Sequence, residues 1–276
     1  MPQKQLFEIK FDDVRFAKEF QKMSHNFDRL VQESTKDAKQ ILISQARLFA
    51  LDLMHVTQPW GRGKKAQKLG QGAVGRDINK VYYTESHVYE RLKEDSLYLA
   101  QKFYKFVKSG NLVEADKIAR TVNLRANEFD GGKAHQRRQT GRRKVIGGQD
   151  TFGLRKDVDK YAKEIKKRVG FAKAGWADAA KALKTGGGGG IDSLLNKNAS
   201  IKKIPAWIRK QGGGLGDAKI TTSQAGKIEV SLINKVDYIS KLVDKYHITK
   251  AARSRGSAIG RLVKKVVEIN AKKNLK

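Results

Sequence analysis

Residues 28–56 read DRLVQESTKDAKQILISQARLFALDLMHV, and this stretch decides the fold. Leu30, Val31, Ala38, Ile41, Leu42, Ala46, Phe49, Leu53 and Met54 recur at helical spacing and form one apolar stripe, while Lys36, Lys39, Gln40 and Arg47 fall off it. The pattern predicts an amphipathic helix with Asp28 as N-cap. Thr57-Gln58-Pro59-Trp60-Gly61 ends it, because Pro59 has no backbone N–H to donate. A helix so long and so apolar along one side needs a core to lie on.

Upstream, residues 5–22 alternate at Leu6, Ile9 and Phe11 and then take a helical spacing, which predicts a short strand or arm leading into a helix. Downstream, residues 61–77 (GRGKKAQKLGQGAVGRD) read as an exposed, basic, glycine-rich loop. A second amphipathic helix starts at Thr84 or Ser86, carries Val88, Leu92, Leu99, Phe103 and Phe106, and stops at Ser109-Gly110-Asn111. A short helix over 112–120 and a second basic loop over 131–148 follow, then a helix from Asp157 to Leu183 broken near Gly170. Lys227 to Asn234 alternates as a strand, with Ile220 to Thr222 as its hairpin partner, and Ile239 and Leu242 lie in a turn or short helix. A last helix, about 254–270, places Ile259, Leu262, Val263, Val266 and Ile269 on one face. The expected class is α+β: long amphipathic helices, a small antiparallel sheet, a closing C-terminal helix and inserted basic loops.

Glycine divides the chain further. The run Gly186 to Gly190 and the cluster Gly212 to Gly214 with Gly216 bracket IDSLLNKNASIKKIPAWIRKQ, whose apolar anchors are Leu194, Leu195, Ile204, Trp207 and Ile208. Flexible segments on both sides predict a hinged unit whose anchors dock on neighbouring subunits. The expected organisation is an N-terminal arm (1–27), a mainly helical core with basic loops (28–183), the docking unit (184–216), and a hairpin plus helix completing the core (217–276).

The 276 residues carry 58 Lys and Arg against 28 Asp and Glu, a formal charge of +30. Being 39% hydrophobic, the chain has enough apolar material for a core, which excludes uniform disorder. Thirty excess charges repel one another, so the imbalance argues for a polyanion or an acidic protein surface as partner. Lys133, Arg137, Arg138, Arg142, Arg143 and Lys144 put six cations and no acid in twelve residues, and this loop is the candidate contact with DNA or an acidic partner. From Lys241 to Lys276 eleven cations face two acids, which on a helix reads as a solvated face.

Other chemistry is sought without result. There is no cysteine, hence no disulfide, thiolate metal site or Cys nucleophile. No apolar run reaches the roughly 20 residues that cross a bilayer, and MPQKQLFEIKFDD lacks a signal-peptide layout. Gly70-Gln71-Gly72-Ala73-Val74-Gly75 matches G-x-G-x-x-G, but the polar Arg62 to Lys68 before it cannot be the buried strand a dinucleotide site requires. The five histidines include no i, i+4 pair of the kind that binds zinc on a helix. No catalytic residues, cofactor, metal or membrane contact are expected.

Three stretches together carry a resemblance. Ala46 to Leu53 runs into Thr57-Gln58-Pro59-Trp60-Gly61 and then Ala73 to Ile78; Val169 to Trp176 is followed by Ile204-Pro205-Ala206-Trp207-Ile208; Val230 to Tyr238 closes the set. In this order they resemble minor virion proteins of tailed bacteriophages, of the head-tail joining or tail-completion (neck) kind. The resemblance implies a non-enzymatic α/β subunit with a long N-terminal helix, a small antiparallel sheet and a closing helix. It also implies a homo-oligomeric ring that contacts portal, connector or tail subunits in a virion assembled in the host cytoplasm. Residues 84–145 and the glycine-flanked unit read as insertions on that outline. The alternative is a basic protein that binds double-stranded DNA, packaged in the virion or acting in the host cytoplasm.

Overall fold

A computed structural model describes residues 7–9, 35–61, 63–139, 150–183, 204–211, 213–222, 228–237 and 239–274. The protein is α+β and divides into two compact units, one from Met1–Gln67 with Gly170–Lys276, the other from Lys68–Val169. The second unit is continuous in sequence and interrupts the first. It is wider than the insertion expected at 84–145, and the first unit runs across the boundaries expected at 27, 183 and 216.

The first unit is built on two helices, α1 (Thr35–Val56) and α8 (Phe171–Ala182). Ile41, Leu42, Ala46, Phe49, Leu53 and Met54 of α1 are all buried, as the stripe predicts. Arg47 is buried as well, contrary to its place off the stripe. The reason is that α1 is packed by α8 and also by the long C-terminal helix α11 (Lys245–Asn274), which widens its buried arc. Asp28 and the first residues of the expected helix lie outside the described residues.

Helix α8 has no outward face over most of its length: Ala172 through Ala180 are buried without interruption. Its small residues let the three-stranded antiparallel sheet come close. The sheet runs in the order β1 (Phe7–Ile9), β5 (Ile228–Asn234), β4 (Gly216–Thr222), with Phe7 and Gly216 both paired to Asn234. A Cβ on Gly216 would lie 1.8 Å from the Gly175 carbonyl oxygen, and one on Gly175 would lie 2.4 Å from Oδ1 of Asn234. Helix and sheet therefore meet backbone to backbone. Asn234 locks the contact: its Nδ2 donates to the Ala172 carbonyl at 2.8 Å, and its Oδ1 accepts from Val236 N at 3.2 Å.

The end of α1 shows how proline shapes the core. Gln58 N, which would otherwise serve the Met54 carbonyl, donates instead to Leu242 O of α10 (Ile239–Leu242) at 3.2 Å, and Pro59 has no donor to offer. The Met54 carbonyl is taken by Lys173 Nζ at 2.7 Å. Beside it, Trp176 Nε1 donates to Thr57 Oγ1 at 3.1 Å, and Thr57 Oγ1 donates to Leu53 O at 2.7 Å. Lys173 is wholly buried, and burial pulls its ammonium down to about 8.

Ile204, Trp207 and Ile208 are buried in this same core, the last two on the short helix α9 (Ala206–Arg209). Trp207 covers Gly170, where a Cβ would come within 2.4 Å of its ring and φ is +106°, the left-handed value that breaks α8 from the helix before it. These three expected docking residues spend their apolar surface on their own chain and do not present it to a neighbour. Leu194 and Leu195 lie outside the described residues. Helix α11 begins at 245 rather than 254 and lays Ala251, Ala252, Ile259, Val263 and Val266 on the core; Arg255 Nε donates to Asp52 Oδ2 at 2.6 Å.

The second unit holds α2 (Lys64–Asn79, entering from the first), β2 (Tyr82–Tyr83), α3 (Glu85–Asp95), α4 (Leu97–Lys108), α5 (Leu112–Ala119), α6 (Lys133–Gln139), β3 (Thr151–Phe152) and α7 (Arg155–Lys167). The single helix expected after residue 84 is two. Ser96 breaks it, with an extended backbone and an Oγ that accepts from Leu99 N at 3.3 Å. Both basic loops are corrected in part. Residues 64–79 are helical, because Val74 and Ile78 pack one turn apart against Val158, Ala162 and Ile165, and Gly75 leaves room for Lys166. The G-x-G-x-x-G match thus lies inside a helix, with no strand before it. Residues 133–139 are helical too, while 140–149 lie outside the described residues.

Candidate polyanion-contact surface

Helix α6 carries the described half of the cation cluster, and a network of buried and half-buried polar groups holds it in place. Asp130 starts the helix: Oδ2 accepts from Ala134 N at 2.7 Å, and Oδ1 accepts from Gly132 N at 2.9 Å and from the Tyr82 hydroxyl at 2.7 Å. Burial and the Asp130 carboxylate push the Tyr82 phenol well above its ordinary value, so it stays a donor.

His135 anchors the middle of α6. Its ring is 1% exposed, with Nε2 3.0 Å from Asp77 Oδ2 on α2 and Nδ1 3.0 Å from the Tyr161 hydroxyl on α7. Burial lowers its pKa despite the nearby Asp77 carboxylate. A neutral ring with Nε2–H donating to Asp77 and Nδ1 accepting from Tyr161 satisfies all three groups, a tautomer assigned from the network. Burial also raises the Tyr161 phenol. Tyr161 fills the space against Gly132, whose Cβ would lie 2.3 Å from its ring. Both nitrogens of His135 are engaged, so the set positions α6 and offers no base to a substrate.

The cations fare differently. Lys133 and Arg137 are exposed on α6. Arg138 is partly buried and its Nε lies 3.3 Å from Asp77 Oδ1, so its charge is already met within the chain. Arg142, Arg143 and Lys144 lie outside the described residues. The structure thus brings Lys133 and Arg137 to one surface and withdraws Arg138 from it. Asp77, Asp130, His135 and Tyr161 escaped the sequence reading: Asp77 and His135 stand 58 residues apart, and no spacing rule joins them.

Among the described residues, no group of three His, Cys, Asp or Glu side chains could hold a metal ion, and no helix is long and apolar enough to cross a membrane. No family model, curated protein or solved structure matches the chain.

Proposed function

We propose that this chain is a non-enzymatic structural subunit of a tailed-phage virion, assembling as a ring at the head-tail junction or completing the tail, next to portal, connector or tail proteins. One observation supports the reading above others: stretches that carry the resemblance lie far apart in sequence yet meet in the core of the first unit. Thr57 meets Trp176, Gly170 meets Trp207, and Ala172 meets Asn234, while Ala73 to Ile78 belongs to the second unit. A long first helix, a three-stranded antiparallel sheet and a closing helix fit the outline of such subunits.

The decisive experiment is sedimentation velocity with negative-stain imaging of the purified chain, followed by antibody labelling of phage particles. Closed rings, or label confined to the neck or tail, are expected. A monomer at every concentration together with unlabelled particles would refute the proposal. The alternative, a basic DNA-binding protein, draws on the charge of +30 and predicts affinity that falls steeply with salt.

A further inference from the structure

Helix α11 carries nine Lys and Arg against one acid, the largest excess of cations on any element among the described residues. Its inner face is fixed on the core, and Arg255 is consumed by Asp52. Lys250, Arg253, Arg261, Lys264 and Lys265 are all exposed, and among the described residues no ion pair joins any of them to an acid. At 100° per residue these five fall within about 120° of arc on the side opposite Ile259 and Val263, and they span about 22 Å at 1.5 Å per residue. Glu268 is the one acid among the exposed positions of that face from 250 to 268. Helix α7 shows the contrast. Its exposed Lys156, Lys160, Lys163 and Lys167 are interleaved with Asp157, Asp159 and Glu164, and Lys167 pairs with Glu164 at 2.6 Å.

We infer that the outward face of α11 binds the phosphate backbone of duplex nucleic acid. Charge alone would equally suit an acidic protein, so the remaining residues decide. A protein interface needs an apolar or aromatic anchor at its centre. Between the cations this face offers the exposed Ser254, whose hydroxyl can donate to a phosphate oxygen, and Ser257, whose hydroxyl donates to the Arg253 carbonyl at 3.3 Å, with no exposed apolar side chain. Interfaces with duplexes are polar and strongly positive, as this one is. A single strand would want successive bases stacked on aromatic rings, and this face carries one exposed ring, Tyr246, at its edge one turn before Lys250, with none between the five cations. Contacts to phosphates fix position without reading sequence, so the binding is sequence-independent. The inference does not depend on ring assembly, and a monomer would leave it intact.

The test uses the full chain and a labelled random duplex of roughly 30 base pairs, followed by fluorescence anisotropy between about 50 and 200 mM salt. Five neutralised phosphates correspond to a slope of log K against log salt of about −4.5, which is several hundredfold in affinity over that range. One variant replaces Lys250, Arg253, Arg261, Lys264 and Lys265 by Gln. A control with the same charge change replaces Lys102, Lys105, Lys156, Lys160 and Lys163 by Gln, all exposed on the second unit. Circular dichroism establishes that both remain folded. The α11 variant is expected to lose about four units of slope and the control less than one. Equal losses in the two variants would overturn the assignment. So would no duplex binding by the wild type at low salt, or binding to polyglutamate without binding to duplex, which would give the face to an acidic protein.

Discussion

Lys173→Met tests the core of the first unit through a single proton. In the folded chain the ammonium is wholly buried, held by the Met54 carbonyl at 2.7 Å, and titrates at about 8 against an ordinary value of 10.5. The folded pKa is depressed, so between pH 8 and 10.5 the unfolded chain holds a proton that the folded chain has released. Stability contributed by this group therefore rises with pH through that window and is lost as pH falls through the folded value. At about 1.4 kcal/mol per unit, the full displacement is worth roughly 3 kcal/mol. Urea unfolding of wild type and K173M at fixed ionic strength, from about pH 7.5 to 10.5, gives the difference in stability between them. Taking the difference removes the tyrosines and every other lysine, which titrate alike in both proteins. The difference should climb by about 3 kcal/mol in favour of the wild type across that range. A flat difference, or one that falls, would show that Lys173 is not buried as a charged group. If K173M does not fold, the midpoint of Lys173 itself, followed by NMR at its Nζ, supplies the check.

Other substitutions probe separate contacts. Gly216→Ala forces a Cβ to 1.8 Å from the Gly175 carbonyl, so a loss of about 1–3 kcal/mol or more is expected in urea unfolding, and an unchanged midpoint would contradict the close approach of sheet and helix. Trp207→Ala empties a site in the core and should cost about 3–5 kcal/mol of monomer stability; a variant of wild-type stability with altered assembly would restore the docking role. His135 has a depressed folded pKa, so the stability it confers is present above pH 6.5 and lost as pH falls below it; His135→Gln should flatten unfolding midpoints measured between about pH 5 and 7.

The elements legible in the sequence were those whose period matches a single buried face. The stripe from Ile41 to Met54 announced α1 because side-chain spacing alone defines its inner side, and the alternation from Ile228 to Asn234 announced β5 as a strand without giving its depth. Where burial comes from several directions, periodicity is silent. Val230 through Asn234 are buried on both faces of the sheet, and Ala172 through Ala180 are buried all round, so neither burial shows as a pattern. Glycine misled in two ways. Gly70, Gly72 and Gly75 suggested a loop but lie within α2, where Gly75 makes room for Lys166. The glycines around Ile204 to Ile208 suggested a pendant unit, although Trp207 belongs to the core by virtue of its contact with Gly170. The six-cation run gave the place of the candidate surface. Asp77 and Tyr161, which set its geometry, are distant in sequence and lay beyond any local rule.

The interruption of the first unit by the second imposes an order on synthesis. Thr57 and Trp176 are 119 residues apart, and Asp52 and Arg255 are 203 apart. At 5–20 residues per second, the apolar stripe of α1 waits about 6–24 s before α8 has been made, and longer before α11 can cover its flank. The continuous stretch from Lys68 to Val169 is complete before either helix exists. A nascent chain of this protein thus carries a finished inner unit next to an uncovered helix, and that helix is where a ribosome-associated chaperone would find its substrate.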